Sequence, residues 1–305
     1  MCGFVGFTGQ LAQGESVLKN MMDAIIHRGP DSAGTHIDEN ISLGFRRLSI
    51  IDLDSGTQPM YNETGDIVIV FNGEIYNYQE LREELINKGH VFSNNADTEV
   101  LIHGYEEYGE DLLKRLRGMF AFVIWDSKKK KLFGARDFFG IKPFYYAVVD
   151  GQLVFASEIK SILMYTPYKK EMNKDALENY LTFQYSVLPE TFFKGIYKLM
   201  PSHSITFENG KVDIKRYWEP VFEPDENTGL NELVDKIDNA MQDSIKKHKI
   251  SDVEVGSFLS SGVDSSYVAA CFKGDKTFTV GFDYEKYNEI DYAKALSEKI
   301  EIDNY

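Results

Sequence analysis

The chain opens with a short apolar run at residues 3–7 and then sets Val17, Leu18, Met21, Met22 and Ile25 at helical spacing across 15–26. This predicts a strand followed by an amphipathic helix. HRGPDSAG at 27–34 predicts a Gly/Pro turn. Apolar runs recur at 41–51, 67–71, 119–125, 131–135, 144–149 and 152–156, each short and bounded by turn residues. Such runs predict strands buried on both faces or nearly so. Helical patterns at 77–88, 97–108 and 157–163 lie between them, which predicts sheets covered by helix layers.

The pattern changes at EPVFEPDENTG, residues 219–229, whose Pro, Glu, Asp and Asn content predicts an interdomain linker. Beyond it Leu230, Leu233, Val234, Ile237, Met241 and Ile245 keep helical spacing. A strand (VEVGSFL, 253–259), a Ser/Gly turn, a helix (265–272), a strand (TFTVGF, 277–282) and a helix (289–300) follow. This alternation is the beginning of a parallel α/β sheet.

Composition narrows the function. At 305 residues and 43% hydrophobic content the chain has room for about two folded domains. A net charge of −15 argues against nucleic acid or an anionic membrane as partner. No apolar run approaches the ~20 residues of a membrane span, and the N-terminus lacks the layout of a secretory signal. Two cysteines, Cys2 and Cys271, make no disulfide framework, and no Cys/His spacing suits a metal. The reading is a cytoplasmic protein with reduced thiols and no metal site. His27 and His103 read as structural, and Cys271 as a core residue of its helix.

Cys2 is the chemical anomaly. Loss of Met1 would leave it bearing both a thiol and an α-amine titrating near pH ~7.7–8.0, so that the amine could accept the proton of its own thiol. The alternative is a small buried hydrophobe. RGPD at 28–31, RRLSIID at 46–52, FNGEIYNY at 71–78, ADTEV at 96–100 and GMFAFVIWD at 118–126 follow in order. With the opening Cys-Gly, these resemble the class II glutamine amidotransferases.

The resemblance implies an α+β N-terminal-nucleophile glutaminase, four-layer α/β/β/α, over residues 2–218. Cys2 would be its nucleophile, with Asn72 and Gly73 forming the oxyanion hole. Arg47 would bind the α-carboxylate of glutamine, with Leu48, Ser49, Ile50 and Ile51 lining the same pocket; Asp97 and Glu74 would bind its α-ammonium. Other readings of these residues stay open: Arg47 on a surface strand, Asp97 as a helix N-cap, and Asn72-Gly73 as a hairpin turn.

LSSGVDSS, residues 259–266, follows a strand and opens a helix, where a loop can wrap its N–H groups around an anion. It resembles the pyrophosphate loop of ATP-pyrophosphatases, Ser-Gly-Gly-x-Asp-Ser-Ser, with Ser261 in place of a glycine. That resemblance assigns ATP contacts to Leu259, Ser260, Ser261, Gly262, Val263, Asp264, Ser265, Ser266 and Val280. A plain Ser/Gly turn with Asp264 as N-cap is the alternative.

Together the two signals resemble the glutamine-hydrolysing asparagine synthetases, with residues 230–305 as the N-terminal part of a partial α/β parallel-sheet ATP-pyrophosphatase domain. Glutamine, aspartate and ATP with Mg²⁺ are the implied ligands of the complete synthetase, and a homodimer is compatible. The family's later acidic residues and lysine have no counterpart in this chain, which alone is expected to hydrolyse glutamine without making asparagine. Another class II amidotransferase, and a non-catalytic glutamine-binding paralogue, are the alternatives.

Overall fold

In the computed structural model, residues 2–49, 56–186, 188–225, 227–260, 262–281 and 290–305 are described. They divide into two compact units, Met1–Pro220 and Val221–Tyr305. The first runs β1 (Gly3–Thr8), α1 (Gly14–Asp23), β2 (Ser32–Ile37), β3 (Ile41–Arg47), β4 (Met60–Tyr61), β5 (Ile67–Ile75), α2 (Tyr78–Asn87) and α3 (Asp97–Tyr108). It continues with β6 (Gly118–Asp126), β7 (Lys131–Arg136), β8 (Tyr145–Val149), β9 (Gln152–Ala156), α4 (Ile159–Ile162), α5 (Lys174–Phe183), β10 (Ile196–Lys198), β11 (His203–Glu208) and β12 (Lys211–Arg216).

Two six-stranded antiparallel sheets result, ordered β10-β8-β9-β1-β3-β2 and β12-β11-β7-β6-β5-β4. Three apolar clusters explain the layering. Phe4, Phe45, Val70, Val123, Phe144 and Phe155 meet between the sheets. Val5, Phe7, Leu18, Met21 and Ile162 pack α1 and α4 on the outer face of the first sheet. Ile69, Phe71, Leu85, Leu101, Phe122 and Phe133 pack α2 and α3 on the outer face of the second. Strands such as β6 and β7 are therefore buried on both faces, as continuous apolar runs require, and the fold is α/β/β/α.

Several elements depart from the sequence reading. Part of HRGPDSAG is strand β2, an edge strand whose mostly exposed residues carry no apolar signature. The strand in 41–51 ends at Arg47, and residues 50 and 51 lie outside the described residues. The polar strand β12 forms an edge of the second sheet next to β11, and α5 has no buried residue among those described, so neither announces itself by apolar spacing.

The second unit contains α6 (Leu230–His248), β13 (Ser257–Phe258), α7 (Val263–Phe272), β14 (Thr277–Phe278) and α8 (Ile290–Ile300). β13 and β14 pair in parallel, Ser257 opposite Thr277. Both are shorter than their apolar runs, and residues 282 and 289 lie outside the described residues. The buried core is Leu259, Ala269 and Ala293, with Leu296 and Ile300 against it. So small a core leaves the apolar stripe of α6 exposed, Ile237 at 63%. It also leaves Cys271 exposed on α7, correcting its assignment to the core. Among the described residues no helix is long and apolar enough to cross a membrane.

The inter-sheet core holds the first unit together. Phe155 is fully buried with its ring 6.4 Å from those of Phe4 and Phe144. Phe155→Ala should lower unfolding stability by about 3–5 kcal/mol, measured by urea denaturation.

Candidate active site

Antiparallel pairing brings the beginning of β1 beside the end of β3, with Gly3 opposite Arg46. Cys2 therefore meets the segment that follows β3. Its Sγ lies 3.4 Å from both the carbonyl oxygen and the amide nitrogen of Leu48, and the residue packs against the inter-sheet core. Burial pushes the Cys2 thiol above its ordinary value, against the opposing influence of the Leu48 hydrogen bond and of the Arg47 and Lys142 charges. At neutral pH the resting group is a thiol that needs a proton acceptor.

RGPD supplies the supports. Arg28 donates from Nε to the Cys2 carbonyl at 2.9 Å and from Nη1 to Glu158 at 3.0 Å. Asp31 accepts the Ser49 amide at 2.9 Å, and its own amide reaches the Arg47 carbonyl at 3.1 Å. A Cβ on Gly29 would stand 2.3–2.4 Å from the backbone of Arg46 and Arg47, so only glycine lets the segments approach this closely.

The opposite wall is the open edge of β5. Phe71 donates its amide to Gln58 Oε1 at 2.6 Å, and Ile75 donates to Asp97 Oδ2 at 2.9 Å. Strand alternation places the Gly73 N–H on that same edge, between them. A Cβ on Gly73 would meet the Met119 carbonyl at 2.2 Å. Asn72 is buried within the strand, and its Nδ2 has no hydrogen-bond partner among the described residues. Asn72-Gly73 is thus strand and not a turn, in register with Ala121 and Phe120.

One cleft gathers Cys2, Arg47, Leu48, Asn72, Gly73, Glu74 and Asp97. Ser49 sits beside it without lining it, and Ile50 and Ile51 lie outside the described residues. Arg47 is buried, which removes the surface-strand reading. Asp97 is the first residue of α3 and Ala96 its cap residue, so Asp97 is not the N-cap, and its carboxyl accepts the Ile75 amide. Burial, with the neighbouring Glu74 charge, pushes Asp97 up to about 7 against the Ile75 and Thr98 amides.

The structure adds Gln58, Thr98 and Lys142 to the cleft. Lys142 is held by a clamp: Asp137 accepts the amides of Phe120, Phe139, Ile141 and Lys142, while Arg136 donates to the carbonyls of Gly140, Lys142 and Leu199. The run RDFFGIKP between two strands was the available signal. Two cations and two carboxyl groups in one cleft suit a zwitterion, and a thiol facing a buried amide donor suits acyl transfer.

A profile of the glutamine amidotransferase domain matches residues 1–218. This chain belongs to the glutamine amidotransferase family. A second profile, asparagine synthase, matches residues 236–305. The chain is 45% identical to glutamine-hydrolyzing asparagine synthetase 1 of Bacillus subtilis (strain 168), an alignment covering all of this chain and 49% of that protein. It is 37% identical to asparagine synthetase 3 of the same organism, covering 97% and 50%. The chain thus spans about half the length of these curated relatives. Among solved structures, the glutamine phosphoribosylpyrophosphate amidotransferase from B. subtilis complexed with ADP and GMP superposes with a TM-score of 0.54 at 14% identity, covering all of this chain and 65% of that one, a likeness of fold.

In the second unit, Leu259 is buried and donates its amide to the Phe278 carbonyl at 2.8 Å. Ser260 and Ser265 join hydroxyls at 2.9 Å, and the Gly262 amide reaches Ser260 Oγ at 3.2 Å. Gly262 is the N-cap of α7, not Asp264. Val263 and Val280 are exposed, Asp264 and Ser266 stand in the first turn, and Ser261 lies outside the described residues. The segment stands at the C-terminal end of β13, beside that of β14, where ligands of open α/β sheets bind.

Ionising Asp97 costs folding free energy because its folded value, about 7, exceeds the ordinary 3.8. The cost is absent below the lower value, grows between the two and is complete above the upper. Asp97→Asn should therefore stabilise the ligand-free fold at pH 8 by up to about 4 kcal/mol and change it little near pH 4, as measured by urea unfolding at both pH values.

Proposed function

We propose that the domain of residues 2–218, within the first unit, hydrolyses glutamine to glutamate and ammonia. The observation that carries this reading is the buried, unpartnered Asn72 Nδ2 in the cleft that Cys2 lines. Arg47 and Lys142 receive the α-carboxylate, and Asp97 with Glu74 receives the α-ammonium. The bound ammonium supplies the positive charge that ionised Asp97 lacks in the empty cleft. The side-chain amide then lies between thiol and donors.

With Met1 removed, the α-amine of Cys2 takes the thiol proton as sulfur bonds to the amide carbon. The oxygen becomes an oxyanion held by Asn72 Nδ2 and the Gly73 N–H. Collapse breaks the C–N bond, and the α-ammonium returns the proton to the leaving nitrogen, releasing ammonia. Water attacks the thioester by the same proton route in reverse, giving glutamate and the free thiol.

The match of residues 236–305 to asparagine synthase favours aspartate as the ammonia acceptor of the complete protein, over the acceptors of other amidotransferases. In this reading 219–229 is the linker, and 230–305 begins the ATP-binding domain. Its 259–266 loop offers backbone N–H groups at the start of α7 that suit a triphosphate. Mg²⁺ fits less well: Asp264 is the loop's one carboxylate, and no three metal-ligating side chains gather in this unit among the described residues. Adenylylation of aspartate is assigned to the complete protein.

Cys2→Ala should abolish glutamate release from glutamine while the fold persists by circular dichroism. Asn72→Ala should lower kcat by about 10²–10³-fold with a smaller effect on KM. Full activity in Cys2→Ala, or labelling of Cys271 by a glutamine-analogue electrophile, would contradict the assignment.

A separate expectation follows from Asp97. The KM for glutamine should fall as pH rises from 6 to 8, because the ionised carboxylate binds the α-ammonium better. Asp97→Asn should raise KM and flatten that profile in steady-state assays.

A further inference from the structure

The helical layer over the second sheet carries a cluster that glutamine chemistry does not use. His103 and Glu106 stand three residues apart on α3, His90 follows α2, and Glu63 lies in the turn between β4 and β5. His103 Nδ1 is 3.0 Å from Glu106 Oε2 and 3.8 Å from Glu63 Oε2, and His90 Nδ1 is 3.8 Å from the same Glu106 oxygen. Glu63, His90 and His103 each offer a ligand atom within 4.8 Å of the others.

Four ligands around a tetrahedral ion at about 2.0–2.2 Å stand ~3.3 Å from one another. The separations of 3.0 and 3.8 Å lie within about half an ångström of that figure, and Glu63, His90 and His103 as a set lie within 4.8 Å of one another. Two imidazoles with two carboxylates are a donor set for zinc and neighbouring divalent transition metals.

The outer contacts are those of a supported centre. His103 Nε2 faces Glu99 Oε1 at 3.6 Å, and Glu99 is buried and held by Ser93 and Asn94. His90 Nε2 faces Glu107 Oε2 at 3.5 Å. Glu106 Oε1 accepts from Asn62 Nδ2 at 2.7 Å, and Glu63 Oε1 accepts from the Val91 amide at 3.2 Å. The second carboxylate oxygens of Glu106 and Glu63 are thus occupied from outside, whereas His103 Nε2 is buried without a hydrogen-bond partner among the described residues.

We propose that Glu63, His90 and His103 bind one divalent transition-metal ion, zinc being the best match, with Glu106 beside both imidazoles completing the set by a shift of its side chain. The ion joins the end of α2, the middle of α3 and the β4–β5 turn, and so braces the helix whose first residue is Asp97. The spacing in sequence conceals it, because the four side chains come from three elements and His90 and Glu63 lie in loops. A metal-free alternative is an ion-pair network with His103 protonated between Glu99 and Glu106.

The test uses the full chain, stripped with a chelator and titrated with Co²⁺. One equivalent should bind with the visible absorption of a four-coordinate site, and Zn²⁺ should displace it. His90→Asn should weaken Co²⁺ binding by about 10-fold or more. Glu63→Gln, at a half-exposed position, should do the same and change the spectrum. Absence of stoichiometric binding by the wild type, or equal binding and an unchanged spectrum in a folded variant, would overturn the proposal and leave the ion-pair network as the account.

Discussion

The constraint on which the site depends is a thiol removed from water at the beginning of a buried strand. Gly3 to Thr8 are all buried, so Cys2 is held where the inter-sheet core ends and the cleft starts. Burial favours the neutral thiol, and the Leu48 backbone with two cations only partly opposes it. A nucleophile in that condition needs an acceptor at hand, and the described cleft residues supply donors and charges without a histidine. In the proposed mechanism the amine of the same residue, freed by loss of Met1, meets the need without another side chain.

Around that thiol, the fold uses strand ends as fixed points. β3 ends at Arg47, β5 brings Asn72 to the cleft and the Gly73 N–H to its open edge, and α3 begins at Asp97. The clamps are backbone contacts: Arg28 on Cys2, Asp31 on Ser49, Asp137 on the loop carrying Lys142. Glycines 29 and 73 permit approaches that a Cβ would forbid. The same rigidity leaves Asp97 buried beside Glu74, a cost that the ammonium of the proposed substrate would relieve.

Much of this was legible in the sequence, for physical reasons. Strands buried on both faces have to be apolar throughout, so β5, β6, β7 and β9 announced themselves, and α3 began where ADTEV placed it. Edge elements such as β2 and β12 face water and carry no such signature. Lys142 escaped notice because its place depends on a loop folded around Asp137, a long-range fact. Cys271 was misread because a helix of small apolar residues reads as core whether or not enough chain covers it. The His90–His103 cluster was hidden because its members come from separate elements.

The most direct measurement compares glutamate release by chains that begin at Cys2 with chains carrying one extra residue before it, the N-terminus of each verified by mass spectrometry. The account predicts turnover in the first and a loss of at least about 10²-fold in the second, consistent with removal of a general base. Equal rates in both would contradict it.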